Sequence, residues 1–346
     1  MSGFVALADG SVWHGEAVGA DGFACGEAVF TTGMSGYQEA VTDQSFAEQV
    51  ICFTAPMVGN YGVAGTRSES RKAQARAVLM REARGPAWTD WLHEHGVVAL
   101  TGIDTRSLVL HLRERGAMQA CVVTDAQTTV EEAVATASRQ PSMAGRALVA
   151  GVSAKKPYEH ATEGRVRVAV VDYGVKRSVL RRLAHAGAQV TVYPHDADAD
   201  TLASYDGVLL SPGPGDPSPL VAETATVRDL LGRTNVFGIC LGHQLLAQAT
   251  GHETFKLPFG HRGINHPVLE RASGRVLVTS QNHGFAVRAS GETETSHHSL
   301  YDETVEGLTF PDLRARSIQC HPEAGPGPHD AYSLIDQWVD EVAEAH

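Results

Sequence analysis

V-F-G-I-C-L-G-H-Q-L-L-A-Q-A-T, residues Val236–Thr250, carries three signals in one short stretch. The apolar run Val236–Cys240 predicts a buried strand. Leu241–Thr250 predicts a helix, closed by Gly251. At their junction stands Gly238-Ile239-Cys240-Leu241-Gly242, a nucleophile flanked by glycines at a strand-to-helix turn. Such a turn is crowded, and glycines relieve the crowding. The amino end of the following helix carries partial positive charge and unpaired N–H groups. It favours a thiolate and can hold an oxyanion.

Outward from this stretch the pattern repeats. Val166–Val171 is a continuous apolar run, as a strand buried on both faces requires. Val175–Ala186 reads as an amphipathic helix ending at Gly187. Val190–Tyr193 and Gly207–Leu210 read as strands, and Leu220–Leu231 as a helix. Alternating strand and helix predict an α/β domain with a mostly parallel sheet flanked by helices. Ligands of such sheets bind at the carboxyl ends of strands, so the loops after Leu210 and Ile239 are the ones to watch.

The segment before it differs. Val5–Leu7, Val12–His14, Ala28–Thr32 and Val50–Thr54 read as short strands, with turn signals at Asp9-Gly10 and Asp21-Gly22. Ala87–His95 and Asp104–Arg115 read as helices. The expectation is a smaller α+β domain over residues 1–150, a polar linker over 151–164 carrying Pro157, and the α/β domain over 165–346.

Composition narrows the class of function. The 346 residues carry a formal charge of −12, which argues against a nucleic-acid scaffold. The basic cluster Lys176, Arg177, Arg181 and Arg182 reads as one solvated helix face. No apolar run approaches the roughly 18 residues of a membrane span. The amino-terminal stretch has no basic residue before an apolar run, so a cytoplasmic location is expected. Five cysteines without C-x-x-C indicate neither a disulfide framework nor a zinc ribbon, and reduced thiols are expected. His93 and His95, or His297 and His298, lack metal-ligand spacing, so no metal is expected.

A cysteine nucleophile needs a base. His321-Pro322-Glu323 follows the strand-like run Ala315–Cys320 and offers an imidazole with a carboxylate two residues on to orient it. H-x-E alone is weak in a chain with seventeen histidines, but the elbow upstream makes the joint signal strong. Cys320 adjoins His321, yet strand neighbours face opposite ways, so it reads as core. Ser211-Pro212-Gly213-Pro214-Gly215-Asp216-Pro217 follows the third strand. Its glycines let backbone N–H groups approach a ligand, and its prolines make it a poor dinucleotide fingerprint.

G-I-C-L-G-H-Q (Gly238–Gln244), S-P-G-P-G-D-P (Ser211–Pro217) and H-P-E (His321–Glu323) together resemble the class I glutamine amidotransferases. Phe259–Val268, Gln281–Val287 and His321–Asp330 resemble the small subunit of carbamoyl phosphate synthetase. So do Leu7–Gly15, Thr32–Glu39 and Gly102–Arg106 in the first domain, and the resemblance covers nearly the whole chain.

It implies Cys240 as nucleophile, His321 as base and Glu323 as its partner. It implies Gly213, Gly215, Leu241, Gln244, Asn282, Gly284 and Phe285 around L-glutamine, with Ser45 contributed by the first domain. It further implies ammonia passed to a large synthetase subunit that uses bicarbonate and ATP with Mg. The complex would be at least a heterodimer, making carbamoyl phosphate for arginine and pyrimidine biosynthesis. No cofactor is expected on this chain, which has no P-loop. Two stretches depart from the family pattern: Gln44 and Phe46 replace the common Pro and Tyr, and Ala64–Ser70 lacks the usual acidic pattern. The competing readings are an amidotransferase serving another synthetase, a non-catalytic regulatory subunit retaining the fold, and a free-standing cysteine hydrolase.

Overall fold

The computed structural model describes residues 2–288 and 294–345. The chain divides into two compact units. The first comprises Met1–Met143 and Pro258–Gly263, the second Ala144–Leu257 and Ile264–His346.

The first unit is built on a closed seven-stranded barrel. Its strands are β1 (Ser2–Leu7), β2 (Val12–Ala17), β3 (Phe23–Thr31), β4 (Gln49–Phe53), β5 (Ala77–Leu79), β6 (Val98–Thr101) and β7 (Met118–Val123), in the order β1-β2-β6-β5-β4-β3-β7. Antiparallel pairing of β7 with β1 closes the ring, which leaves no sheet edge. Alternation sorts the side chains. Val5, Leu7, Val50, Cys52, Leu79, Leu100 and Val122 gather into one cluster with Leu108 and Leu112 of helix α3 (Thr105–Arg115). The opposite faces of the strands pack on α1 (Tyr37–Thr42) and α2 (Pro86–Glu94), and on α4 (Val130–Arg139).

The segment Pro258–Gly263 joins this unit through the Phe30–Phe259 ring stack, the Ala117 N–H to Pro258 O bond of 2.7 Å and the Thr32 N–H to Arg262 O bond of 3.1 Å. The atypical loop 64–70 is tied to α1. Gln38 bonds both the N–H and the C=O of Ala64, and Thr42 takes the Glu69 N–H.

One expectation is overturned here. Cys25 and Cys121 form a disulfide. They face each other across β3 and β7, with Cα atoms 4.1 Å apart. They are 96 residues apart in sequence, and only strand pairing makes them neighbours.

The second unit holds a ten-stranded sheet. Its middle is parallel: β10 (Ala188–Pro194), β9 (Val166–Asp172), β11 (Gly207–Leu210), β12 (Asn235–Ile239) and β17 (Ala315–Ile318). β8 (Tyr158–Ala161) adds antiparallel at the β10 side. Beyond β17 come β16 (Val305–Phe310), β15 (Thr295–Ser299), β13 (Thr254–Glu270) and β14 (Val276–Val287).

The two sheet faces bury alternate residues. Val168, Val170, Leu209 and Ile239 pack under α6 (Arg177–His185) and α10 (Tyr332–Glu344). Ala169, Val171, Val208 and Leu210 pack under α7 (Ala199–Leu202), α8 (Val221–Leu230) and α9 (Leu241–Ala249). The α/β architecture expected from sequence is the one observed. The stretch 151–164, read as a linker, is structured: it continues from α5 (Val149–Val152) and contains β8, whose main chain supplies edge hydrogen bonds to β10.

The basic cluster is not one solvated face. Lys176 is 1% exposed, and Arg182 pairs with Asp336 and lies 4.3 Å over the Tyr332 ring, while Arg181 is exposed. Among the described residues no helix is long and apolar enough to cross a membrane.

Candidate active site

Apart from Ser45, the features described next lie in the second unit, around the carboxyl ends of the parallel strands. β12 ends at Ile239 and α9 begins at Leu241, so Cys240 alone makes the turn. Its φ is +53° and ψ −105°, a backbone state that non-glycine residues rarely adopt. The Cys240 N–H donates to Ile318 O at 2.9 Å, which ties the turn to β17.

The glycines are steric necessities. A Cβ on Gly238 would sit 2.6 Å from Gly242 O, and one on Gly242 would sit 2.2 Å from Leu210 O. Strand, turn and the next strand over are thus in backbone contact, and the thiol projects from the junction. Its Sγ lies 3.7 Å from Asn282 O on β14. In the first turn of α9 the Gly242 N–H donates to Ser211 O and the Gln244 N–H to Cys240 O. The Leu241 amide remains beside the nucleophile.

The loop after β11 is held from two sides. Ser211 Oγ accepts the Tyr173 N–H at 2.9 Å and donates to Pro212 O at 2.8 Å. A Cβ on Gly213 would meet Tyr173 O at 2.3 Å, and one on Gly215 would meet Arg146 O at 2.5 Å. Asp216 accepts the Gly145 and Ser218 N–H groups, each at 2.8 Å.

His321 Nδ1 lies 2.8 Å from Glu323 Oε1, and Lys176 Nζ lies 2.8 Å from the same oxygen. All three side chains are buried. The charges decide the protonation. Burial by itself pulls the His321 pKa down, but the Glu323 carboxylate raises it. Lys176 opposes that and Cys240 adds to it, with the net effect of pushing it up to about 10. Burial would raise the Glu323 pKa, yet Lys176 and then His321 hold it well below the usual carboxylate range. The ring also interacts with the Cys240 side chain, whose charge and hydrogen bond favour the imidazolium.

Lys176 is the functional side chain that sequence reading missed. It caps α6 from an extended backbone, at the end of a loop fixed by Asp172. The Asp172 carboxylate accepts the N–H groups of Gly174, Val175 and Ala154 at 3.0, 2.7 and 2.7 Å. One signal was available: three basic residues of the cluster follow a helical stripe, and Lys176 precedes it at the strand's carboxyl end.

The remaining expected residues distribute as follows. Gln244 Nε2 donates to Phe285 O and to Gln319 Oε1, at 2.9 and 3.0 Å. Asn282, Gly284 and Phe285 lie on β14, with Lys256 Nζ 5.4 Å from the Phe285 ring centre. Cys320 is fully buried, and burial, followed by Glu306 and Glu323, raises its thiol pKa well above the ordinary value. It is a core thiol. Ser45 belongs to the first unit, in the 3-10 turn Gln44–Phe46, and its hydroxyl makes no hydrogen bond among the described residues.

A bent cysteine at a helix amino end beside a buried His–Glu pair fits the chain's sequence relatives. Residues 169–340 match the family of class-I glutamine amidotransferases. Residues 5–122 match the CPSase domain of the carbamoyl-phosphate synthase small chain. The chain is 43% identical to the carbamoyl phosphate synthase small chain of Syntrophotalea carbinolica, over 98% of this chain and 97% of that one. It is 42% identical to the small chain of Pseudomonas syringae, over 98% of each. It is 40% identical to the pyrimidine-specific small chain of Lactiplantibacillus plantarum, over 99% of this chain and 96% of that one.

The chain belongs to the carbamoyl phosphate synthase small-chain family. Membership explains the two units. Apart from residues 258–263, the amidotransferase match falls within the second, and the small-chain match falls within the first. It also bears on the reading as an amidotransferase for another synthetase, because the barrel unit is the part that the small-chain domain matches.

Proposed function

We propose that this chain is the glutamine-hydrolysing subunit of a carbamoyl phosphate synthase, acting in the cytoplasm beside a large subunit. The observation that carries the reading is the buried relay Lys176–Glu323–His321 opposite a cysteine held at φ +53°.

The chemistry runs as follows. L-glutamine binds with its carboxamide carbon against Cys240. The thiolate attacks that carbon, and the carbonyl electrons move onto oxygen. The Leu241 N–H and the Gly213–Gly215 loop are the proposed donors to this oxyanion, and loss of one such donor typically costs about 10²–10³ in rate. His321, protonated at neutral pH, gives its proton to the leaving nitrogen, and ammonia departs. A glutamyl thioester remains on Cys240. Water that loses a proton to His321 then releases glutamate and the thiol.

Gln244, Asn282, Gly284 and Phe285 are the proposed glutamine contacts of the second unit, and Ser45 is the further contact implied by the family resemblance. Neutral ammonia is the nucleophile the partner needs, and most ammonia becomes ammonium in bulk water at neutral pH. The large subunit is therefore proposed to take it directly and to consume bicarbonate and ATP with Mg there.

The test compares native protein with Cys240→Ser, each assembled with the large subunit. Native complex should make carbamoyl phosphate from glutamine, and the variant only from added ammonium salts. A variant that still uses glutamine would sink Cys240 as nucleophile. An inert native chain in a competent complex would favour the regulatory-subunit reading instead.

A further inference from the structure

Gln319 follows β17, two residues before His321, and its side chain is fully buried. Its Oε1 accepts from Gln244 Nε2 at 3.0 Å, while its own Nε2 makes no hydrogen bond among the described residues. A buried donor left unsatisfied costs about 1–3 kcal/mol, which an apolar side chain of the same size would not incur. The amide of Gln319 is thus a liability for folding. What it provides is its contact with Gln244.

That contact completes a constraint. Gln244 Nε2 also donates to the main-chain oxygen of Phe285 at 2.9 Å. A main-chain carbonyl only accepts, so this bond fixes which end of the Gln244 amide is nitrogen. The Gln319 bond then engages the second amide hydrogen. With both donors used, what Gln244 can present to a ligand is its Oε1, an acceptor.

The direction matters because of where Gln244 stands. It is four residues after Cys240 along α9, on the same helix face and one turn, about 5.4 Å, further on. Helical side chains lean toward the amino end, so Gln244 lies back over the turn that opens at the nucleophile. A glutamine with its carboxamide at Cys240 carries its α-ammonium and α-carboxylate about one side-chain length away. An acceptor oxygen there attracts the ammonium and disfavours the carboxylate.

We propose that Gln319 is a positioning residue that sets substrate specificity, locking the Gln244 amide with its oxygen toward the substrate so that the site selects for an α-ammonium group. This deepens the glutaminase reading and rests on it.

The test uses the chain assembled with its large subunit. Glutaminase KM and kcat are measured with L-glutamine, and the inhibition constant is measured for 4-carbamoylbutanoate, the analogue lacking the amine. Gln319→Met removes the acceptor. It should raise the KM for glutamine about tenfold, leave kcat within about twofold and leave the analogue's inhibition constant unchanged. Gln319→Glu keeps an acceptor oxygen toward Gln244 and should keep the native KM.

Equal weakening for glutamine and analogue, no change for either, or a fall confined to kcat would overturn the proposal. Should Gln319→Met lack a cooperative melt, Gln319→Leu, which likewise has no acceptor, is measured in its place. There a raised KM for glutamine with an unchanged inhibition constant for the analogue upholds the assignment, and native values for both reject it. A native complex without glutaminase activity would remove the underlying reading, and is recognised by failing before any variant is compared.

Discussion

Lys176 Nζ lies 2.8 Å from Glu323 Oε1, an ion pair between two side chains sealed from solvent. Glu323 also holds His321, so one carboxylate oxygen serves two cations. Breaking a buried pair by removing one partner costs about 3–5 kcal/mol, because the other charge stays buried without its counterion. Lys176→Met leaves His321 as the only cation on that carboxylate, so it should lower stability by up to about that amount in chemical denaturation at neutral pH. The double variant Lys176→Met with Glu323→Gln should recover part of the loss, since it leaves no buried carboxylate and lets His321 become neutral, while glutaminase activity stays low. Equal destabilisation by the single and double variants would show that Lys176 acts through packing alone.

The same cluster sets a pH dependence. The folded His321 pKa, pushed up to about 10, exceeds its ordinary value of 6.5. The sign follows from protonation: the stability it contributes is fully present below the ordinary value and is lost as pH rises through about 10. Glutaminase kcat/KM should have its alkaline limb in the same region, where the imidazolium that protonates the leaving amine disappears. Glu323→Gln removes the strongest raising influence, and the limb should move acidward by about one pH unit or more. A limb that stays in place in this variant would assign it to another group.

The parts of this arrangement legible in sequence are those fixed by local chemistry. The elbow Gly238–Gly242 and the pair His321–Glu323 announce themselves by residue type and spacing. The parallel strands announce themselves as continuous apolar runs. Lys176 did not, because its partner lies far along the chain and a lysine at the head of an arginine-bearing helix looks like the rest of the stripe. Cys25 and Cys121 were hidden in the same way, since no spacing rule reveals a cross-strand neighbour before the register is known. The barrel's short strands β5, β6 and β7 were unread for a related reason. Three or four residues, as in β5 and β6, carry too little periodicity, and closure of the ring supplies what the local pattern lacks.

The elbow itself makes a steric prediction. A Cβ on Gly242 would lie 2.2 Å from Leu210 O and 2.7 Å from Leu210 Cβ, both on the neighbouring strand. Neither can retreat without breaking β11 pairing. Gly242→Ala should push α9 away from the sheet, misplace the Cys240 thiol and reduce kcat/KM by about 10²-fold, since small misplacements of reacting groups cost that much. Gly151 is the control, because a Cβ there meets nothing within 4 Å. Gly151→Ala should leave activity native and stability within about 0.5 kcal/mol. Native activity in Gly242→Ala would mean that the elbow tolerates a shift the geometry forbids.

The five cysteines separate into three chemical classes, which thiol labelling can read. Cys25 and Cys121 are joined and cannot be alkylated without prior reduction. Burial pushes the Cys52 thiol up to about 12, and Cys320 is raised well above its ordinary value, so both stay protonated and inert at pH 8. Cys240 alone stands at a helix amino end facing an imidazolium. Iodoacetamide at pH 8 should therefore label about one thiol per native chain, and peptide mapping should place it at Cys240. L-glutamine should slow that labelling, because the substrate covers the thiol. Labelling first at Cys52 or Cys320, or at Cys240 at a rate indifferent to glutamine, would separate this cysteine from the substrate site.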